Sequence, residues 1–373
     1  IYITDIAQVI KDCSHILIAF DTPVNEKDEV DLSQILTTAS ELSLCMENGT
    51  TIIVTSQVPV GTCSQIKEIV KKERPSLDFD IAYSPENLRL GQAIERFKHP
   101  DRIIIGADNP TTLDTVERFF SVIDSPKVRM SLRSAEMTKH AINTFLANCI
   151  SFANELGNIC DEVGADALSV AEGLGTDERI GQKLPLKPGL AFAGGTLARD
   201  LKTLQTIGDR CSYDTFLIDS VLKVNEHQNK LVLRKLQKIY GSIAKLTIGM
   251  LGLTYKASTS TLRRSAALEI IADLTSEGAV VKAFDPKADM DEIKSEQTFE
   301  FCSDSYAVAR DSDALIIMTD WPEFKELDFT RIKLMMRKPV IIDARNMLDS
   351  EKLIMKGFFY SGVGRGTDFA IKR

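Results

Sequence analysis

The chain has 373 residues, 44% hydrophobic and 26% charged, which is ordinary for a globular protein and long enough for two or three domains with separate cores. A net charge of −8 argues against a nucleic-acid or anionic-membrane partner, and no apolar run approaches the roughly 18–20 residues of a transmembrane helix. Seven cysteines, an odd number without a Cys-x-x-Cys pair, argue against structural zinc or a disulfide scaffold and fit reduced, mostly buried thiols in a cytoplasm.

The first residue is Ile1 rather than Met, and a helix-like stretch at 5–13 runs straight into a strand, so the chain is expected to begin in mid-fold. Short β-rich runs recur at 16–20, 51–56, 79–84 and 102–107, separated by helical patterns such as 32–48 and 63–72. That alternation predicts a mostly parallel α/β sheet. Residues 134–163 predict one long helix, because Met137, Ala141, Phe145, Cys149, Phe152, Leu156, Ile159 and Val163 keep a helical apolar spacing. Ser134 is its expected N-cap, Glu136 suits the first turn and Gly164 is its expected stop. More helix is expected at 165–173 and 200–238, followed by a second set of strands at 246–251, 280–284, 314–318 and 340–343.

Ordered motifs punctuate this pattern. They are Phe20-Asp21-Thr22-Pro23, Ser56-Gln57-Val58-Pro59-Val60-Gly61-Thr62, and Ser84-Pro85-Glu86-Asn87-Leu88-Arg89-Leu90-Gly91. Glu136-Met137-Thr138-Lys139 with Asn143 lies in the long helix. Arg179-Ile180-Gly181, Pro188-Gly189 and the loop from Gly189 to Asp200, with Phe192, Gly194, Gly195 and Thr196, follow. Gly252-Leu253-Thr254-Tyr255-Lys256, Arg263 with Ser265, Asp285-Pro286, Asp343-Ala344-Arg345-Asn346 and Gly364-Arg365 complete the set. In order and spacing they resemble the UDP-glucose/GDP-mannose dehydrogenase family over nearly the whole chain.

The resemblance implies an α/β fold with two Rossmann-like domains joined by a central long-helix domain, the first incomplete at its N-terminus. The expected division is 1–127 for NAD binding, 128–240 for dimerisation and the active-site loop, and 241–373 for UDP-sugar binding. It further implies NAD as cofactor, a UDP-sugar substrate and a cytoplasmic homodimer without nucleic-acid or membrane partners. Lys139 and Asn143, at i and i+4 on one helix face, are implied to hold the water or oxyanion at the sugar C6. Glu86, Asp200 and Thr196 complete the catalytic set. Asp200 has a second reading as the cap of a helix at 201–207. Thr22, Ser56, Glu86 and Arg263 are the implied cofactor residues. Leu88, Arg179 (reaching from a partner subunit), Gly189, Phe192, Lys256 and Arg345 are the implied substrate residues.

The chain also departs from the family pattern. Thr196 stands where the family has its cysteine nucleophile, and a threonine hydroxyl is a far weaker nucleophile than a thiol. Gln57 replaces a Thr, Leu90 a second Glu, and Ser260-Thr261 an Asp pair; no Gly-x-Gly-x-x-Gly turn is found. The expected activity is NAD-dependent oxidation of a UDP-glucose-like sugar at C6 towards the uronic acid, impaired at the second hydride transfer. The alternative is a catalytically inactive paralogue that binds a nucleotide sugar or only dimerises. His15, His99, His140 and His227 show no metal or triad spacing, and His140 is expected to point away from the face of Lys139.

Overall fold

The computed structural model describes residues 6–366 other than 12, 24–29, 87, 89–91, 193–196, 255, 263–264 and 294–297. The chain forms two compact units, Ile1–Thr144 with Arg199–Asp214, and Phe145–Ala198 with Thr215–Arg373. Among the described residues no helix is long and apolar enough to cross a membrane.

The first unit alternates helices and strands: α1 (Ile6–Ile10), β1 (His15–Ile18), α2 (Ser33–Cys45), β2 (Thr50–Val54), α3 (Thr62–Glu73), β3 (Phe79–Tyr83), α4 (Ala93–Lys98), β4 (Ile103–Ala107), α5 (Pro110–Phe119) and β5 (Lys127–Met130). The long helix α6 (Leu132–Val163) follows. The strands lie in chain order and pair in parallel, except that β3 and β4 run antiparallel, with Tyr83 opposite Gly106. Every residue of β2 is buried, because the strand has helices on both faces. Ile52 and Val54 join Ile35, Leu42, Ile66 and Val70 of α2 and α3. Ile53 turns the other way, to Ala82, Ile105 and Val116. A Cβ at Gly106 would lie 2.4 Å from Ala135 Cβ, so glycine is what lets α6 start against β4.

Helix α7 (Ala167–Gly175) belongs to the second unit, and α8 (Leu197–Arg210) lies in the first from Arg199 onward. The second unit continues with α9 (Phe216–Asn229), α10 (Leu231–Tyr240), β6 (Thr247–Leu251), α11 (Ala266–Ser276), β7 (Val280–Phe284), β8 (Glu300–Phe301), α12 (Ser305–Ala309), β9 (Ala314–Ile317), α13 (Phe329–Met335), β10 (Val340–Asp343), α14 (Ser350–Met355) and β11 (Phe359–Gly362). Its sheet is parallel, in the order β11-β10-β9-β6-β7-β8. Ile248, Met250, Val281, Ile316 and Ile342 form one face with Ile270 and Leu274 of α11. Leu251, Leu315, Ile317 and Ile341 form the other, with Phe324, Ile332 and Leu353.

Two local expectations need correction. Ser134 is not the cap of α6: the helix starts at Leu132, and Ser131 Oγ accepts the Ser134 N–H at 3.2 Å. Glu136 therefore falls beyond the first turn, and its buried carboxylate caps α3 instead, accepting the N–H groups of Gly61 and Cys63 at 2.6 and 2.9 Å. The expected helix over 200–238 is three helices. The break after α8 contains Ser212 at φ 55°, a left-handed residue without a Gly or Pro to announce it.

Candidate functional site

In the first unit, the carboxyl ends of β1 and β2 lead into loops that are tied together by hydroxyls. Thr22 Oγ1 donates to the Gln57 carbonyl at 2.7 Å, and Ser56 Oγ donates to the Phe20 carbonyl at 2.6 Å. Glu86 follows β3, and its Oε2 accepts the Leu88 N–H at 2.5 Å; the Leu88 side chain is exposed. Lys139, buried on α6, donates to the Glu86 carbonyl at 2.5 Å and lies 3.7 Å from Glu86 Oε1.

Asp200 is the centre of this cluster and is fully buried. Its Oδ1 accepts from Gln57 Nε2 at 2.6 Å and meets His140 Nδ1 at 2.6 Å; its Oδ2 accepts from Asn143 Nδ2 at 2.5 Å. The buried Arg199 guanidinium donates to Gln57 Oε1 and reaches the Thr22 carbonyl at 3.4 Å. The Gln57 amide is thereby oriented, NH2 toward a carboxylate and oxygen toward a guanidinium. Amide and imidazole groups thus hold both oxygens of this buried carboxylate.

One expectation changes here, and one residue gains a role. His140 lies three residues before Asn143, and both side chains turn toward Asp200. Asp200 does not cap a helix at 201–207. α8 begins at Leu197, Asp200 sits in its first turn, and its carboxylate bonds side chains. Cys63, at the start of α3, has its thiol pushed well up by burial and by the neighbouring Glu136 carboxylate, which opposes the thiolate form.

In the second unit, a cavity of about 330 Å³ lies over the carboxyl ends of β6 and β9. Leu190, Phe192, Thr254, Lys256, Thr319 and Arg345 are among its lining residues. Its size falls within the range of small-ligand sites. Buried Asp285 shapes the wall: Oδ2 accepts from Leu253 N at 2.8 Å, Thr254 N and Oγ1 at 2.9 Å and Trp321 Nε1 at 3.0 Å. Gly252 has φ +97°, and a Cβ there would meet Thr319 at 2.5 Å. Buried Asp343 accepts the N–H groups of Arg345 and Leu348 and the Tyr360 hydroxyl, and burial raises its carboxyl above the usual carboxylate range. Arg345 lies 3.9 Å from Asp320, and its buried Nε has no partner among the described residues.

Three amides hold the loop that brings Phe192 to this cavity. Asn154 accepts the Gly189 N–H at 2.8 Å and donates to the Leu190 carbonyl at 3.3 Å. Asn225 accepts the Phe192 N–H and donates to its carbonyl, at 2.8 and 3.0 Å. Gln228 donates to the Gly189 carbonyl at 2.6 Å. Arg179 is exposed and pairs with Asp177 at 2.6 Å. Thr196 and Arg263 lie outside the described residues, as does Leu90.

The structure thus gathers Lys139, Asn143, Asp200, Glu86, Thr22 and Ser56 in one unit, and Phe192, Lys256 and Arg345 in the other. Sequence reasoning missed His140, Asn154, Asn225, Gln228 and the anchoring work of Asp285. Asn225 and Gln228, at i and i+3 on α9, carried a faint signal: two amides on one face of an otherwise amphipathic helix.

Residues 2–124 match the NAD binding domain of the UDP-glucose/GDP-mannose dehydrogenase family, 133–227 its central domain and 249–350 its UDP binding domain. UDP-glucose 6-dehydrogenase TuaD of Bacillus subtilis is 38% identical over 367 residues, 98% of this chain and 79% of that protein. UDP-glucose 6-dehydrogenase of Rhizobium meliloti is 35% identical over 94% of this chain and 82% of its own length. Among solved structures, a UDP-glucose dehydrogenase from Pyrobaculum islandicum superposes with a TM-score of 0.85 at 29% identity, covering 97% of this chain and 82% of that one. The chain belongs to the UDP-glucose/GDP-mannose dehydrogenase family.

Proposed function

We propose that this member of the UDP-glucose/GDP-mannose dehydrogenase family oxidises C6 of a UDP-glucose-like sugar with NAD and stops mainly at the aldehyde. The observation that carries the reading is Asp200, buried and held by Asn143, with Lys139 on the same face of α6 as Asn143. NAD, when bound, would supply the acceptor for a hydride from C6. Thr22, Ser56 and Glu86 follow the carboxyl ends of β1, β2 and β3, where open α/β sheets bind ligands, and their hydroxyl and carboxylate groups suit ribose hydroxyls. The Asp200 carboxylate is the group to take the C6 hydroxyl proton, directly or through water. The Lys139 ammonium and Asn143 amide stabilise charge on that oxygen. Lys256 and Arg345 supply positive charge suited to a diphosphate, and Phe192 and Gly189 shape the sugar end.

Thr196 limits the second oxidation. Without a thiolate to add to the aldehyde, the carbonyl carbon lacks the tetrahedral adduct from which a second hydride leaves. A homodimer fits the outer face of α6, where Phe145, Phe152, Ile159 and Val163 are exposed. A cytoplasmic setting fits seven unpaired cysteines.

The deciding experiment counts NADH formed per UDP-glucose consumed by the purified chain, beside its Thr196→Cys variant. One per sugar, rising toward two in the variant, supports the reading. Two per sugar from the unaltered chain refutes the role of Thr196. No NADH, with UDP-glucose still bound, marks a binding paralogue.

A further inference from the structure

We infer that His140 is a positioning residue that holds Oδ1 of Asp200 and leaves Oδ2 as its working oxygen. What Asp200 does rests on the dehydrogenase reading; how it is held does not. His140 is fully buried, and both ring nitrogens face oxygen. Nε2 lies 2.9 Å from the Val58 carbonyl, which only accepts, so Nε2 carries a proton. The neutral ring in that tautomer would aim a bare Nδ1 lone pair at Asp200 Oδ1, 2.6 Å away. A carboxylate lone pair cannot sit against it at that distance, so a further proton lies between the two atoms.

Oδ1 also accepts from Gln57, whose other end is held by Arg199. Two donors therefore occupy Oδ1, whereas among the described residues Oδ2 has Asn143 alone. A carboxylate oxygen has room for about two bonds. Oδ2 thus keeps one acceptor position for a water or a substrate hydroxyl. His140 and Asn143, three residues apart on α6, each grip a different oxygen of the same carboxylate, which stops it rotating about its Cβ–Cγ bond. His140 reaches the reaction only through this grip.

The test has one arm that needs no turnover. Nitrogen-15 NMR of the full chain labelled at histidine should show a His140 ring with Nε2 protonated and a low-field proton at Nδ1 that disappears in Asp200→Asn. An unprotonated Nε2, or a low-field proton that survives Asp200→Asn, overturns the inference. The second arm is kinetic. His140→Asn keeps an N–H donor near the Nδ1 position, whereas His140→Gln moves it to the Nε2 position, toward Val58. His140→Gln should lose about 100-fold in kcat with KM for UDP-glucose unchanged, the effect of a catalytic group displaced by about an ångström, and His140→Asn should recover most of it. Equal losses in both variants, or a change confined to KM, overturn the inference. If the unaltered chain does not oxidise UDP-glucose, the dehydrogenase reading falls while the NMR arm still decides how Asp200 is held.

Discussion

The two units use buried carboxylates in opposite ways. In the first, Asp200 bonds three side chains, Gln57, His140 and Asn143, and among the described residues no main-chain group joins them at its carboxylate. In the second, Asp285 and Asp343 bond mostly main-chain N–H groups at strand ends and so fix loops. The first arrangement fixes the orientation of one carboxylate through side chains. The second builds a rigid rim from which Lys256 and Arg345 line a cavity. Burial thus serves the orientation of one carboxylate in one unit, and the shape of a cavity wall in the other.

The sharpest way to break this contrast is Asp200→Ala. It leaves His140, Gln57 and Asn143 without their shared acceptor, and removing one member of a buried paired cluster destabilises by about 3–5 kcal/mol. Denaturant unfolding of the purified variant should show that loss and NADH formation should vanish, while UDP affinity stays. An equal fall in UDP affinity would mean that the two sites are not separately built. Next in size, Asp285→Ala leaves the N–H groups of Leu253 and Thr254 and the Trp321 indole without their buried acceptor, for about 3 kcal/mol of stability. Here UDP binding, measured by calorimetry, should weaken along with stability, since the wall itself moves.

Arg345→Ala should separate binding from shape. The main-chain bond to Asp343 remains, so the melting temperature should hold, while Kd for UDP rises about tenfold to a hundredfold, the loss of a bond to a charged group. A melting shift without a change in Kd would move Arg345 out of the binding set. The smallest effect is in pH. Burial raises the Asp343 carboxyl in the folded state, so its proton is held more tightly there than in the unfolded chain. Its contribution to stability is therefore complete below the unfolded value of about 3.9 and is lost as pH rises through the higher folded value. Unfolding curves across the carboxylate range should show wild type losing ground to Asp343→Asn as pH rises, by on the order of 1 kcal/mol for each unit of pKa difference. Parallel curves would refute it.

Much of the molecule was legible before folding. The strands of both sheets that are buried on both faces, such as β2 with Thr-Thr-Ile-Ile-Val, are continuous apolar or β-branched runs and were visible as such. β5, with Lys127 and Arg129, was not, because an edge strand carries no such run. Helix periodicity found α6 but misplaced its start by two residues, since Ser131 and Ser134 are equally good caps by type and only the crossing at Gly106 selects between them. Lys139 and Asn143 could be read together because they lie four residues apart along one helix.

The sequence by itself determined the alternating α/β pattern, the long helix and the motif order that implies the family, because spacing along the chain encodes each of these. Only the tertiary structure decided who holds Asp200. Gln57 lies 143 residues from it and His140 lies 60, and neither separation leaves a local trace. Which buried donor meets a buried carboxylate depends on how β2, α6 and α8 pack, and packing is set by the whole core rather than by the residues at the site.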